Sequence, residues 1–189
     1  FVLPYTIGDY LSRHMGEGPL PTDHPAFTAV EEETGNRMKQ LLAIDGKRTV
    51  DSLHRELGRI CEDYCGMSRE RTGLTGAIGK IQELRQEYWR NVQVPGAAAD
   101  LNQSLEKAGR VADYFELAEL MCRDALAREE SCGTHFREEY QTPEGEAQRN
   151  DEEFSHVAAW EWTGEGNEPV MHKEELVFEH VPPSQRSYK

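Results

Sequence analysis

Between Thr49 and Glu130, apolar residues recur three or four positions apart in three successive runs, each closed by a helix breaker. This spacing is the period of an α-helix with one buried face, and it leaves few folds open. The first run is Leu53, Leu57, Ile60 and Tyr64; Thr49 suits its N-cap and Gly66 interrupts it. Leu74, Ile78, Ile81, Leu84, Tyr88 and Val92 make the second, which Pro95-Gly96 breaks. A third run starts near Asp100 and reaches about Glu130, and Gly133 beyond it can supply the left-handed backbone that commonly ends a helix. Between Val111 and Leu126 its apolar residues (Phe115, Leu117, Leu120, Met121) cover most of its circumference, so contact on more than one side is expected. Short connections between long helices favour antiparallel neighbours. The expected core is an up-down bundle of three long helices.

A shorter helix is expected in front of the bundle. Thr22 or Asp23 can cap it, Pro25 sits in its first turn, and Asp45-Gly46 stops it after Ile44. Upstream, Gly16-Glu-Gly-Pro-Leu-Pro forbids regular structure. Residues 1–12 look like the end of a buried helix, with Val2, Leu3, Ile7 and Leu11 as its apolar positions. The absence of an initiating Met or a leader-like opening reads as a piece of a longer chain entered in mid-element. After Phe154 the period changes to two: Ala158, Trp160 and Trp162 share one face, Thr163-Gly-Glu-Gly-Asn supplies a turn, and Val170 to Glu179 is again extended. The fold class expected is therefore mainly α: an antiparallel three-helix bundle plus a shorter N-terminal helix, followed by a small β-hairpin and an extended C-terminal tail. The divisions expected are 1–20, 21–133 (the bundle) and 134–189 (an irregular, hairpin-bearing appendage), with β structure confined to the region after Phe154.

Composition excludes some functions. No run of about 18 apolar residues exists, so no segment reads as a membrane-spanning helix. A formal net charge of −14 argues against nucleic acid, whose phosphates are bound by Lys and Arg. The acidity is concentrated late: residues 128–180 hold fifteen carboxylates against four Lys or Arg. That excess reads first as a solvated face and second as a docking surface for a basic partner. Cys61, Cys65, Cys122 and Cys132 form no C-x-x-C pair. They read as reduced thiols packed as small hydrophobes. A zinc site made of Cys61, Cys65, Cys132 and His135 is geometrically conceivable but matches no recurrent ligand spacing. There is no G-x-G-x-x-G, P-loop, G-x-S-x-G or H-E-x-x-H. His135 beside Glu138 and Glu139 is better read as a hydrogen-bonded loop histidine than as an acid/base pair, and Trp160 and Trp162 as hairpin core rather than a ligand platform.

One stretch carries more. From Glu130 to Phe154 the chain reads ESCGTHFREEYQTPEGEAQRNDEEF. The order Glu-Ser-x-Gly-x-His-x-Arg-x-x-Tyr, then Arg-x-Asp-Glu-x-Phe, resembles the late motif of the succinate dehydrogenase and fumarate reductase flavoprotein subunits, E-S-R-G-x-H-x-R-x-D-(F/Y) followed by R-D-D-E-N-W. Cys132 stands where that family has Arg, Asn150 where it has Asp, and a few extra residues separate the two halves. The closing Pro182-Pro183…Arg186-Ser187-Tyr188 is similar to the family's P-P-x-x-R-(S/T)-Y, and the three helical runs match its helical domain in order and length.

The resemblance implies a part of a subunit that interconverts succinate and fumarate and passes electrons from FAD to an iron–sulfur subunit, and through it to a quinone-reducing membrane anchor. The flavin and the dicarboxylate would be held by upstream flavin and capping domains. This stretch would then carry no catalytic, cofactor-binding or metal residue. Its role would be a scaffold on the cytoplasmic side of the membrane, with residues 1–20 as the end of a flavin-domain helix and its linker. Glu130, Ser131, Gly133, His135, Arg137, Arg149, Asp151, Arg186 and Tyr188 are the motif positions expected to matter structurally, His135 and Arg137 foremost as hydrogen-bond donors. Two other readings are L-aspartate oxidase, a relative sharing the E-S-R-G-x-H motif, and a free-standing acidic helical adaptor. The hairpin and tail favour the dehydrogenase branch over the first; the unpartnered opening residues count against the second.

Overall fold

The computed structural model describes residues 2–16, 21–164 and 166–184. In chain order these form α1 (Val2–His14), α2 (Pro25–Ala43), β1 (Arg48–Thr49), α3 (Val50–Cys65), α4 (Arg71–Asn91), β2 (Val92–Gln93), α5 (Gln103–Ala127), α6 (Asp151–Phe154), β3 (His156–Glu161) and β4 (Val170–Glu175). They fall into two compact units, residues 1–40 and 41–189. The division lies within α2.

In the first unit α1 carries its apolar residues in the open: Ile7 and Leu11 are 51% and 53% exposed. The side chains of Val2 and Leu3 lie outside those described. α2 begins at Pro25, so its cap falls one residue after Asp23 and two after Thr22. His24 takes that place: its Nδ1 accepts the Ala26 N–H at 3.2 Å and its carbonyl accepts the Phe27 N–H at 3.0 Å.

The second unit is the three-helix bundle and what hangs from it. Thr49 caps α3 as expected, its hydroxyl accepting the Ser52 N–H at 3.2 Å. α4 is capped by the carboxylate of Glu70 and α5 by Asn102, so the third helix starts slightly later than the sequence suggested. Arg71, at the start of α4, pairs with Glu129 just past the end of α5, which sets those two helices antiparallel. Arg48 and Val92 pair across β1 and β2, which places the start of α3 beside the end of α4. Asp51 near the start of α3 meets Lys107 near the start of α5, so these two run in the same sense. The result is the expected up-down-up order.

Leu53, Leu74, Ala77, Ile81, Tyr88, Ala108, Val111, Phe115 and Cys122 are all fully buried at the centre. Alternation of alanines with large residues along α5 lets α3 and α4 approach it closely. The Tyr88 hydroxyl, which would otherwise be an unmet donor in this core, donates to the Ala108 carbonyl at 2.6 Å. The wide apolar surface of α5 is only partly used: Leu117 and Met121 remain 55% and 47% exposed.

β structure is not confined to the region after Phe154. Before it, the two-residue strands β1 and β2 form a parallel ladder that closes the open end of the α3–α4 pair. No periodicity announces pairs this short. Gly46 makes this closure possible, because a Cβ there would lie 2.1 Å from the Asn91 carbonyl oxygen. The expected hairpin is present. β3 and β4 pair antiparallel from His156↔Glu175 to Glu161↔Val170, shorter by four residues at the far end than the extended segment read from the sequence. Along β3 His156, Ala158 and Trp160 turn inward while Val157 and Glu161 are exposed. Trp162 falls beyond the strand and is 59% exposed, so it does not join the hairpin core.

Candidate functional site

The residues of the motif converge where α5 ends. α5 stops at Ala127 with Arg128 in extended conformation, three residues before the expected end. Gly133 does adopt the left-handed backbone its position suggested (φ +60°), but it does not terminate the helix. It makes the tight turn in which Cys132 and His135 exchange backbone hydrogen bonds of 2.8 and 3.1 Å. The turn folds the chain back, and residue 137 pairs in parallel with Arg69 of the α3–α4 connection.

Arg137 is the largest fully buried side chain of the described residues. Its Nη1 donates to the carbonyls of Ala125 and Leu126 at 2.8 and 3.2 Å, and its Nε to Glu139 Oε2 at 3.1 Å. The guanidinium thus caps the carbonyl end of α5, where a helix presents unsatisfied acceptors and partial negative charge. Tyr140 stacks over it at 5.4 Å. Its Nη2 is buried without a hydrogen-bond partner. Glu139 in turn accepts the Arg71 backbone N–H at 2.5 Å. Partial burial alone raises its carboxyl, but the Arg71 amide and the Arg137 guanidinium outweigh that and hold it below the usual carboxylate range.

His135 sits between two other arginines. Arg69 Nη1 lies 3.1 Å from its Nδ1, and the Arg128 carbonyl lies 2.9 Å from its Nε2. A guanidinium only donates and a carbonyl only accepts, so the ring is neutral, with the proton on Nε2. Burial pushes its pKa down, and the nearby positive charges of Arg69, Arg137 and Arg128 push the same way, against the pull of the Arg128 carbonyl. Glu138, read from sequence as its neighbour, turns away to accept the Ser68 hydroxyl at 2.7 Å.

Glu130 and Ser131 are buried too. Glu130 Oε1 pairs with Arg128 at 2.6 Å, and its Oε2 accepts the Asn150 N–H at 2.8 Å. Ser131 Oγ accepts the Arg137 N–H at 2.8 Å and donates to the Arg137 carbonyl at 3.1 Å. Asn150 caps α6 through Oδ1, serving as well there as Asp would. Arg149 holds Asp151 Oδ1 at 2.5 Å and reaches the Ser184 carbonyl at 3.0 Å, tying the tail to the motif. Seven of the nine motif positions are thereby brought together; Arg186 and Tyr188 lie outside the described residues.

Sequence reasoning missed the other half of this junction. Arg69, Arg71 and Arg128 are as much part of it as the motif, yet each reads in sequence as an ordinary exposed helix-end cation. The four cysteines are free. Cys122 donates to Cys65, which lowers Cys65 to about 7 against the opposing effect of burial, while Cys122 is pushed up. No group of three or more His, Cys, Asp or Glu among the described residues is placed to hold a metal ion, the Cys61–Cys65–Cys132–His135 set included. At the helix starts the caps Thr49 and Asn102 each accept one first-turn amide, of Ser52 and Leu105, and Glu70 accepts two, of Thr72 and Gly73. Among the described residues no helix is long and apolar enough to cross a membrane.

The family described as "Fumarate reductase flavoprotein C-term" matches residues 54–188. The chain is 29% identical over 171 residues to the fumarate reductase flavoprotein subunit of Helicobacter pylori, covering 90% of this chain and 23% of that protein. It is 23% identical over 162 residues to the succinate dehydrogenase flavoprotein subunit of Bacillus subtilis, covering 86% of this chain and 26% of the relative. The fold superimposes on a chain of Escherichia coli quinol fumarate reductase with a TM-score of 0.74 at 23% identity, over 88% of this chain and 27% of that one. The chain thus spans about a quarter of the length of these relatives.

Proposed function

This chain belongs to the fumarate reductase flavoprotein C-terminal family, and on that footing we propose that it is the helical scaffold of a flavoprotein subunit that interconverts succinate and fumarate. In this reading FAD and the dicarboxylate are held by flavin and capping domains of the same longer protein. Electrons leave through an iron–sulfur subunit towards a membrane anchor, and the scaffold lies on the cytoplasmic side as a peripheral part of the complex. When bound, the flavin supplies the two-electron chemistry, and in this reading the groups that hold it belong to the flavin domain; the caps on α3, α4 and α5 support this by engaging part of each helix start.

The observation that carries the reading is the buried junction. Arg137, His135 and Glu130 lock the end of α5, the α3–α4 connection and the chain leading into α6 to one another through charged and backbone hydrogen bonds. A geometry in which most donors and acceptors are met from within the junction suits bracing. Arg186 and Tyr188 are assigned to the same brace on the motif alone.

The test uses the complete subunit that carries this chain, purified with its iron–sulfur partner. Arg137→Ala is expected to lower the yield of assembled complex and its thermal stability while leaving the KM for succinate of the surviving complex unchanged. A complete subunit that holds no flavin sinks the reading. So does an Arg137→Ala complex that assembles normally but has lost affinity for succinate, since the residue would then be substrate-binding.

A further inference from the structure

A cleft of about 380 Å³ opens between α4, α5 and the turn joining β3 to β4. Its volume is in the range of small-molecule sites. Leu117 and Leu120 of α5 and the rings of Trp160 and Trp162 supply its apolar lining. The Trp160 indole is fixed, its N–H donating to Asp124 Oδ1 at 2.8 Å. Trp162 stands at the edge with more than half its surface in water.

At the base lies Glu119, only 8% exposed. Its Oε1 accepts from Gln82 Nε2 and Arg123 Nε, each at 2.9 Å. Its Oε2 faces Arg85 Nη1 at 3.3 Å in an ion pair but receives no hydrogen bond. Arg123 continues to Glu168 in the turn, with Nη2 at 3.1 Å from Oε1. Both arginines are therefore committed to glutamates. Asp113, Glu116 and Glu161 add to the lining, Glu161 with His172 Nε2 at 2.6 Å from its Oε2, so five carboxylates and two arginines line the cleft and its balance is acidic.

We propose that this cleft binds a small organic cation: an ammonium or guanidinium group carried on an apolar stem. The stem would lie on the leucines and indoles, with the charge at the face of Trp162 beside Glu116. An indole face attracts a cation through its quadrupole, and desolvation in a cleft strengthens the effect. The surrounding carboxylates add a field of the same sense. An anion would have to pull Glu119 or Glu168 off its arginine and then sit among the remaining acids. A neutral apolar molecule would gain the lining but leave the charge excess unanswered. The proposal does not depend on flavin chemistry, so the two readings fail separately.

Free amines and basic side chains of a protein segment share this chemistry, and the experiment separates them. Phenethylammonium and a blocked Leu-Arg-Leu amide are titrated into the chain, with phenethyl alcohol and phenylacetate as neutral and anionic counterparts. The indole N–H signals of Trp160 and Trp162 are followed by NMR, with the half-buried Trp89 as internal reference. For a ligand of this size a Kd of about 1 mM is expected for the cations, and binding of the alcohol and the carboxylate roughly tenfold weaker or worse. Trp162→Ala should weaken cation binding about three- to tenfold and Glu116→Gln about two- to fivefold, as loss of a cation–π contact and of one exposed charge predict. Both side chains are at the surface, so neither variant threatens the fold. Tighter binding of the tripeptide assigns the site to a protein segment and tighter binding of the amine to a free small molecule; either upholds the proposal. Equal response to phenylacetate overturns it, as does indifference of both variants, or the absence of indole shifts with either cation at about ten times the expected Kd.

Discussion

Arg137 makes the strongest claim of any single residue. A guanidinium with no exposure is tolerable only because Ala125, Leu126 and Glu139 receive its protons. Arg137→Ala strips partners from two helix-end carbonyls and leaves a void, so a loss of about 3 kcal/mol is expected in urea unfolding. Arg137→Lys should recover less than half of it, because an ammonium cannot span the carbonyls and Glu139 together. His135 makes a claim about pH. Its folded pKa is depressed below the ordinary 6.5, so between those values the unfolded chain binds the proton that the folded chain refuses. Its stabilising contribution is therefore complete above about pH 6.5 and lost as pH falls through the folded pKa. Melting temperatures taken from pH 7.5 down to 5 should fall more steeply for the parent chain than for His135→Gln, which has no proton to gain. Parallel curves would mean that the ring is not held neutral.

Glycines separate the elements by what stands next to them. Gly58 on α3 and Gly79 on α4 are exposed, and a Cβ at either meets nothing within 4 Å. Alanine at each should stabilise the chain by about 0.5–1 kcal/mol through a less flexible unfolded state and better helix propensity. Gly46 is the opposite case, since its missing Cβ is where the Asn91 backbone runs past the β1–β2 ladder. Gly46→Ala should cost more than 2 kcal/mol, of the order of a backbone clash that the core cannot relax. Circular-dichroism melts of the three variants check all of this together, and a Gly46→Ala chain as stable as its parent would show that the ladder is dispensable.

At the scale of the molecule the expectations concern what the chain does alone and what it does in its longer protein. With FAD added, the 189-residue chain is expected to leave flavin fluorescence unquenched and to reduce no dye with succinate, because it carries no Gly-rich turn of the G-x-G-x-x-G kind to set helix amides on a pyrophosphate. The complete subunit is expected to quench the fluorescence and to reduce the dye. Micromolar flavin binding by the chain by itself would place the cofactor in the wrong part of the protein. The net charge of −14 adds a global term: self-repulsion in the compact state should be eased by salt. Moderate sodium chloride is therefore expected to raise the melting temperature, in addition to screening the exposed ion pairs of the helix surfaces, which contribute little.

Periodicity and punctuation alone determined the long helices, their order and the hairpin. An apolar stripe every three to four residues has one stable use in water, and Thr49, Gly66 and Pro95 mark its limits through backbone chemistry that needs no neighbours. The motif between Glu130 and Phe154 was legible as a resemblance, down to seven residues that the fold assembles. What the sequence left hidden are contacts made across long separations. Nothing local in Arg69, Arg71 or Arg128 distinguishes them from solvated cations until the fold sets them beside residues 135, 139 and 130. Gly133 reads as a helix stop because left-handed backbone commonly follows a helix, yet the chain uses that conformation six residues after Ala127, to turn back onto residue 69. The cleft at Glu119 is hidden for the same reason: its acid, arginines and indoles come from three elements, and only their packing decides that a charge on α5 is buried rather than bathed.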